Sequence, residues 1–392
     1  MCQRQKSERN LQVKKMAVLA GVTALVLGAH ALDLDFLEKL VAIPSVSSDA
    51  REVNRATRFM RDFLVKRGVH CTVETMADGR EVLYAATTPG KCHDFVLSVH
   101  LDVVPPAFPE HFAMKRSGDV IEARGVCDCK GNAVAVAEAL CELAEKNVSV
   151  GCMFGPDEEI GGKGTRWMVE EKGYVPRRMV IVPDAGHDKI CYAHKSQTFV
   201  RIRAKGRSGH SSRPWTCDDS ITKVMQAYVK IREIWDRRHP LPGDKWSDVV
   251  VPTYVKADSG AWNLIPSEMD LILNLRGVNP GAKDELIEVA KSVTDCEVEL
   301  VRHSPPVNSD PNHPLIRKLQ DVMSESLGKD IPLERMLAAT DARWFAGCGV
   351  PIAMVGSKGE GAHAKKETAS VSSIEEMKSY LVKFLLQAPF VE

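Results

Sequence analysis

Apolar residues along the chain recur in two rhythms, one of three to four residues and one of two, and their alternation sets out the elements. Between Ser47-Ser48 and Gly68 the rhythm is helical: Val53, Ala56, Met60 and Phe63 fall on one face, a serine offers the cap and the glycine the stop. β-rich runs follow at 71–74, 82–86 and 95–100. Residues 131–147 predict an amphipathic helix, with Ala133, Val136, Leu140 and Leu143 inward and Glu138, Glu142 and Lys146 outward. A strand at 150–154, a helix at 164–172 and a strand at 179–183 complete the alternation. Its order predicts an α/β layer with a largely parallel sheet.

The rhythm changes at about Lys195. Residues 197–205 alternate as a half-exposed strand, and 220–235 form an amphipathic helix. Strands at 248–256 and 269–275, a helix at 283–293 and a strand at 296–302 follow, giving the βαββαβ order of a ferredoxin-like split unit. α/β patterning then resumes, with a helix at 313–327, a strand at 352–355 and a helix at 373–386. The expected organisation is an upstream segment 1–31, a larger domain in two parts (32–194 and 305–392) and an inserted lid or dimerisation domain, 195–304.

Composition narrows the class. The 392 residues are 44% hydrophobic, enough for two or three domains. The formal net charge of +0, with no long block of one sign, argues against a nucleic-acid partner. Lys14-Lys15 precede the apolar stretch 16–29, and Ala29-His30-Ala31 resembles a cleavage site. This reads as a secretory signal peptide, too short to span a bilayer, so no integral membrane segment is expected. The alternative is that 1–15 is upstream sequence and Met16 begins an ordinary buried segment. The 11 cysteines pull the other way: scattered and without a C-x-x-C pair, they suit a reducing compartment. Localisation therefore stays open, periplasmic or secreted with a signal peptide and cytoplasmic without one.

Candidate chemistry gathers where strands end. Residues 95–99 run into His100, 150–154 into Asp157-Glu158-Glu159, and 179–183 into Asp184. In open α/β sheets ligands bind beyond those carboxyl ends. Asp102 stands two residues after His100, on the same side of an extended chain, and is expected to accept a hydrogen bond from the far ring nitrogen, fixing a metal-binding tautomer. Arg124-Gly125-Val126-Cys127-Asp128-Cys129-Lys130-Gly131 carries Asp128 to a helix start, and a glycine-rich loop from Gly356 carries His363. Taken singly, His100 could be a core histidine, Asp128 a helix cap and the acidic pair a solvated helix start. Taken together, two histidines and several carboxylates, with no cysteine needed, suit zinc, with Co2+ or Mn2+ as substitutes. Five ligands with one shared carboxylate make a two-metal site. In the Glu158-Glu159 pair one carboxylate ligates while its neighbour takes the proton from water.

These motifs, with Pro183-Asp184 and Gly209-His210-Ser211-Ser212-Arg213-Pro214, together resemble one zinc metallopeptidase family from about Leu32 onward. It contains acetylornithine deacetylase, succinyl-diaminopimelate desuccinylase, glutamate carboxypeptidase and the aminoacylases. The resemblance implies a zinc-exopeptidase-like catalytic domain with the ferredoxin-like insert as its lid. It implies two Zn2+, one on His100 and Asp184, the other on Glu159 and His363, with Asp128 bridging them. Glu158 would be the general base, with Asp102 beside it in the catalytic set, and the Asp128–Cys129 peptide would be cis. In the insert, the resemblance assigns His210 to polarising the scissile carbonyl and Asn263 and Arg276 to the substrate carboxylate. Thr340, in Thr340-Asp341-Ala342-Arg343, falls on the substrate side. Two departures stand out: Cys129 where methionine is commoner, and Ala364-Lys365-Lys366 where smaller polar residues are usual.

What the resemblance implies is a di-zinc amidohydrolase cleaving an amide or peptide bond near a free carboxylate, on a small peptide or N-acyl-amino-acid substrate. Aspartate at the position of Asp184 tends to accompany peptidases in this family and glutamate the deacylases, which leans the reading towards a dipeptidase or carboxypeptidase. An N-acyl-amino-acid deacylase is the alternative within the class, and a non-catalytic metal-binding relative the alternative outside it. The presence of Glu158 stands against the latter. A four-stranded insert leaves an edge and a face to cover. Family members with such an insert imply a homodimer paired through it, the equivalent of His210 reaching the neighbouring subunit's metals. Trp215 and Trp262 read as packing residues, with lining of a substrate pocket as the alternative.

Overall fold

The computed structural model describes residues 31–257 and 260–391, so the expected leader lies outside them except for Ala31. The first elements are α1 (Leu34–Val41), α2 (Ala50–Val65), β1 (His70–Thr75), β2 (Glu81–Ala86), β3 (Cys92–His100), β4 (Lys115–Ser117) and β5 (Val120–Glu122). Then come α3 (Lys130–Leu143), β6 (Val150–Gly155), α4 (Lys163–Glu170), β7 (Val175–Val182), β8 (Ile190–His194), β9 (Gln197–Lys205) and β10 (Gly209–His210). The chain continues with α5 (Ser220–Arg238), β11 (Val249–Lys256), β12 (Leu264–Ile265), β13 (Glu268–Arg276), α6 (Ala282–Val293), β14 (Glu297–Ser304) and β15 (Val307–Asn308). Last are α7 (Pro314–Leu327), β16 (Leu333–Met336), β17 (Ile352–Met354), β18 (Gly359–Glu360), β19 (Thr368–Ser370) and α8 (Val371–Gln387). They divide into two units. The first takes the chain up to Ile190, Asp310–Leu333 and the chain from Ala353; the second takes Cys191–Ser309 and Glu334–Ile352.

The first unit is built on strands in the order β1-β2-β6-β3-β7-β17. β3 runs parallel to both β6 and β7, but β1–β2 and β2–β6 are antiparallel, so the sheet is mixed where a largely parallel one was expected. The cause is local: Met76 N–H bonds Arg80 O, closing a hairpin, and a hairpin can join only antiparallel strands. Phe95, Val96, Leu97 and Val99 are buried at successive positions, which requires cover on both faces. α3 packs on β3, β6 and α8, while α4 packs on β2 and β6.

Two local expectations fail here. α2 is capped by Asp49, whose carboxylate accepts from Arg51 and Glu52 N–H, and not by a serine; such a cap contributes about 1 kcal/mol. α3 is buried almost all round instead of amphipathic, because helices as well as strands surround it. Its Glu138, expected in solvent, accepts from Asp33 N–H and Lys378 Nζ, each at 2.7 Å. The first unit also holds a small antiparallel sheet, β18-β19-β5-β4, with strands of two or three residues that offer no periodicity to read.

The second unit contains β9-α5-β11-β13-α6-β14, folded as an antiparallel sheet in the order β11-β13-β9-β14: the ferredoxin-like arrangement. The alternation along β9 turns Val200, Ile202 and Ala204 inward against Val224, Ala227, Ile231 and Trp235 of α5. β11 is an edge strand and largely exposed, and α5 leaves Ile221, Met225 and Val229 exposed on its outer side. Among the described residues no helix is long and apolar enough to cross a membrane.

Candidate metal centre

The parallel register of the first unit lines up the candidate residues. His100 is level with Gly155, which precedes the acidic run 157–159, and Leu97 is level with Ile181, so His100 and Asp184 each lie three residues further on. Asp128 comes from the turn before α3, through a cis peptide to Cys129, as the resemblance implied. His363 comes from the loop between β18 and β19. There Gly361 has φ +72° and no room for a Cβ against Lys366 O, so the turn needs glycine.

These side chains form one chain of contacts. His100 Nε2 is 2.9 Å from Asp128 Oδ1 and 4.0 Å from Asp184 Oδ1. His363 Nε2 is 3.1 Å from the other Asp128 oxygen and 2.9 Å from Glu159 Oε2. One carboxylate thus lies between two imidazoles, with a second carboxylate beyond each.

The expected hydrogen bond from His100 to the Asp102 carboxylate is not made. His100 Nδ1 donates to the Asp102 backbone carbonyl at 2.9 Å, while the carboxylate stays at 3.4 Å. The tautomer is still fixed, since a carbonyl can only accept, and Nε2 is left facing the centre. The Asp102 carboxylate is fully buried and engaged elsewhere. It accepts from Glu158 N–H at 3.0 Å, Glu159 N–H at 3.2 Å and Ser47 Oγ at 2.6 Å. Asp102 therefore holds the backbone of the acidic pair. Ser47, read in the sequence only as part of a helix cap, is a functional-site neighbour that the sequence reading missed.

The electrostatics describe a set of groups short of positive charge. A hydrogen bond to Asp128 lifts His363 to about 9. Burial works against a charge on His100, but Cys129, Asp102 and Asp128 outweigh it and hold the ring well above the ordinary histidine range. Burial would raise Asp128, yet hydrogen bonds from both imidazoles keep it well below the usual carboxylate range. Burial, with repulsion from Asp128, pushes Glu159 up to about 7, and its Oε1 is buried with no hydrogen-bond partner. Imidazoles loaded with protons among clustered carboxylates, one of them with an orphaned oxygen, are a donor set that divalent cations fit. Ligand atoms of Asp128, Glu159 and His363 lie within 4.8 Å of one another, as do those of His100, Cys129 and Asp184. The sulfur in the second group was not anticipated. Burial lifts that thiol to about 11, and it donates to Pro183 O at 3.7 Å.

The remaining candidates, His210, Asn263, Arg276 and Thr340, all belong to the second unit. His210, on the short pair β10–β12, and Asn263, just before β12, are exposed. Ser212 N–H donates to His210 Nδ1 at 3.2 Å, so in the neutral ring Nε2 carries the proton and is a donor. Asn263 Nδ2 lies 3.1 Å from that nitrogen. Arg276 is half-buried and lowered, by burial first and then by Arg343 and Arg302, and no carboxylate among the described residues pairs with it. Buried His194 faces the same two guanidiniums, Arg343 and Arg276, and burial lowers it to about 4. Thr340 caps a short 3-10 helix, its hydroxyl accepting from Ala342 N–H. Trp215 and Trp262 are 78% and 108% exposed, so neither packs into the interior of its unit.

Comparison with known proteins gives the family. Residues 96–387 match the model of peptidase family M20/M25/M40. A probable carboxypeptidase of Aspergillus clavatus is 28% identical over 282 residues, 68% of this chain and 66% of that protein, so the chain spans about two thirds of its length. Human aminoacylase-1 is 27% identical over 328 residues, 76% of this chain and 80% of the relative. Among solved structures, the M20 family metallo-carboxypeptidase Sso-CP2 of Sulfolobus solfataricus shares the fold, with a TM-score of 0.75 at 17% identity over 91% of this chain and 99% of that one. With three quarters of its length inside the family model, the chain belongs to peptidase family M20/M25/M40, whose members are metal-dependent hydrolases of carbon–nitrogen bonds.

Proposed function

We propose that the protein is a di-zinc peptidase that hydrolyses an amide bond close to a free carboxylate, as a dipeptidase or carboxypeptidase. The observation that carries this reading is Asp128, with one oxygen on each of two imidazoles that have further carboxylates behind them. His100, Asp128 and Asp184 would hold one cation and Asp128, Glu159 and His363 the other. Cations there supply activation of water and polarisation of the scissile carbonyl. Glu158, held at its backbone by Asp102, takes the proton from the attacking water and delivers it to the leaving nitrogen. His210 presents Nε2–H to the oxygen on which negative charge develops. Arg276, with no carboxylate partner of its own, holds the substrate carboxylate, and Asn263 steadies the His210 ring.

The second reading is an N-acyl-amino-acid deacylase, which the aminoacylase among the relatives favours. Both substrates end in a free carboxylate and differ in what precedes the bond. We further propose that the protein is a homodimer paired through the second unit, with His210 serving the centre of the other copy. Its exposed ring and the exposed edge strand β11 support that reading.

A hydrolysis panel with the zinc-loaded protein tests the substrate class: dipeptides, N-acetyl- and N-succinyl-amino acids, and the same compounds with the carboxylate amidated. The expected result is turnover of dipeptides, abolished by amidation. Turnover of N-acyl-amino acids alone replaces the peptidase reading with the deacylase one, and indifference to amidation removes the role given to Arg276.

A further inference from the structure

Glu367 and Arg124 lie beside the metal-type donors without joining them. Glu367 is fully buried, and one of its oxygens accepts three backbone N–H groups: Gly125 at 2.9 Å, Cys127 at 3.0 Å and Asp128 at 3.1 Å. The other oxygen accepts from Arg124 Nη1 at 2.6 Å. Arg124 is itself 2% exposed, and its Nη2 donates to Ala364 O at 3.0 Å. The grip is reciprocal. A residue four positions after His363 holds the loop that presents Asp128, up to Asp128 itself. A residue four positions before Asp128 holds the carbonyl next to His363.

A buried ion pair is a weak device for stability alone, because the cost of removing both charges from water offsets their attraction. What this pair does supply is direction. His363 has φ +65°, a conformation rarely adopted by non-glycine residues, so the aim of its ring depends on how the adjoining backbone is held. Asp128 needs the same control, since each of its oxygens faces a different imidazole.

We propose that Glu367, clamped by Arg124, is a positioning residue: it fixes the spacing between Asp128 and His363 and so sets the affinity of the Asp128–Glu159–His363 group for its cation. This rests on the reading of that group as a metal site, and the test separates the two. Zinc is titrated, in competition with a chromophoric chelator, into metal-stripped wild type, Glu367→Gln, Glu367→Asp, Arg124→Lys and His363→Ala. Melting curves of each stripped protein are recorded alongside. Glu367→Gln keeps the side chain's size and one accepting oxygen but turns an amide N–H2 towards Arg124.

The expected result is two zinc ions in wild type and, in Glu367→Gln, one of them weakened by about 10-fold or more, the range found for partners of metal ligands. The other ion should stay within about 3-fold, and Glu367→Asp should recover part of the loss because it keeps the charge. Arg124→Lys, which keeps the charge but loses the fork, should weaken the same ion and provides the decision if Glu367→Gln does not fold. A lower melting temperature with both affinities within about 2-fold of wild type would overturn the proposal, leaving the pair a purely structural role. If His363→Ala binds zinc as wild type does, the metal reading of the group falls, and the positioning role falls with it.

Discussion

At the carboxyl edge of the first unit's sheet, Asp128 faces two imidazoles, Glu159 faces one of them, and Asp102 holds the acidic pair by its backbone. On the second unit, His210 lies exposed on a two-residue strand pair with exposed Asn263 just before β12, and Arg276 has other guanidiniums for neighbours. The first set is organised by the chain's own groups, imidazoles against carboxylates, with Glu159 Oε1 left without a partner. The second holds a cation, Arg276, with which no carboxylate among the described residues pairs. On the proposed roles, the difference would divide the labour: groups that move protons would be preset by the fold, and groups that recognise substrate would be completed by what binds.

The sharpest way to break that division is inside the acidic pair. Glu158→Ala should lower kcat by about 10³-fold with metal content nearly intact, because its assigned task is proton transfer. Glu159→Ala should lose activity and metal together, since its Oε2 already meets His363 and its Oε1 is buried without a partner. Metal analysis beside the assay separates the two. Equal metal loss in both variants would show that the pair's roles are not divided.

The next largest effect tests the exposed set. His210→Ala should cost about 10²-fold in kcat, as loss of one donor to a developing oxyanion does, with the melting temperature unchanged because the ring is exposed. If His210 serves the other copy, Glu158→Ala and His210→Ala proteins allowed to exchange subunits form heterodimers with one intact composite site. Recovery of about a quarter of wild-type activity is expected from random pairing. No recovery after demonstrated exchange would place His210 on its own subunit's centre or outside the chemistry.

How much of this was legible in the sequence follows the same divide. The strand ends at His100, Glu159 and Asp184 could be read because buried parallel strands leave continuous apolar runs that stop abruptly. The βαββαβ unit could be read because the alternation in β9 is regular. The contacts of Asp102 could not. Its carbonyl and its carboxylate stand at the same sequence distance from His100, and spacing does not say which accepts. Ser47 meets Asp102 across 55 residues, and Arg124 meets Glu367 across 243, so no local pattern records either pair. α1, at Leu34–Val41, was passed over beside the apolar leader-like stretch. The exposed tryptophans were misread because hydrophobicity predicts burial only where something covers the residue.

The smallest effect tests whether the first unit's charges satisfy each other as the geometry says. In the metal-stripped protein the hydrogen bond to Asp128 raises His363 from the ordinary 6.5 to about 9. A raised folded value means that the stability gained is fully present below pH 6.5 and is lost as pH rises through 9. Lys130 acts in the opposite sense: burial lowers it from 10.5 to about 7, so protein stability recovers with rising pH between those values. The raised Glu159 and His100 add their own slopes, and a single melting curve would mix all four. The gap in melting temperature between stripped wild type and stripped His363→Ala removes much of what the two proteins share. That gap should be widest near pH 6.5 and shrink towards pH 9, modestly, because the His363 side chain is 55% exposed and screened by water. The matching gap for Asn263→Ala, from the exposed pair on the second unit, should stay flat. If His363 ligates zinc as proposed, the metal must displace its proton, and zinc affinity for the stripped protein should climb over the same interval. A His363 gap that is constant or widens with pH would mean that the imidazole and Asp128 do not share a proton, and that the first unit's set is no more self-satisfied than the second's.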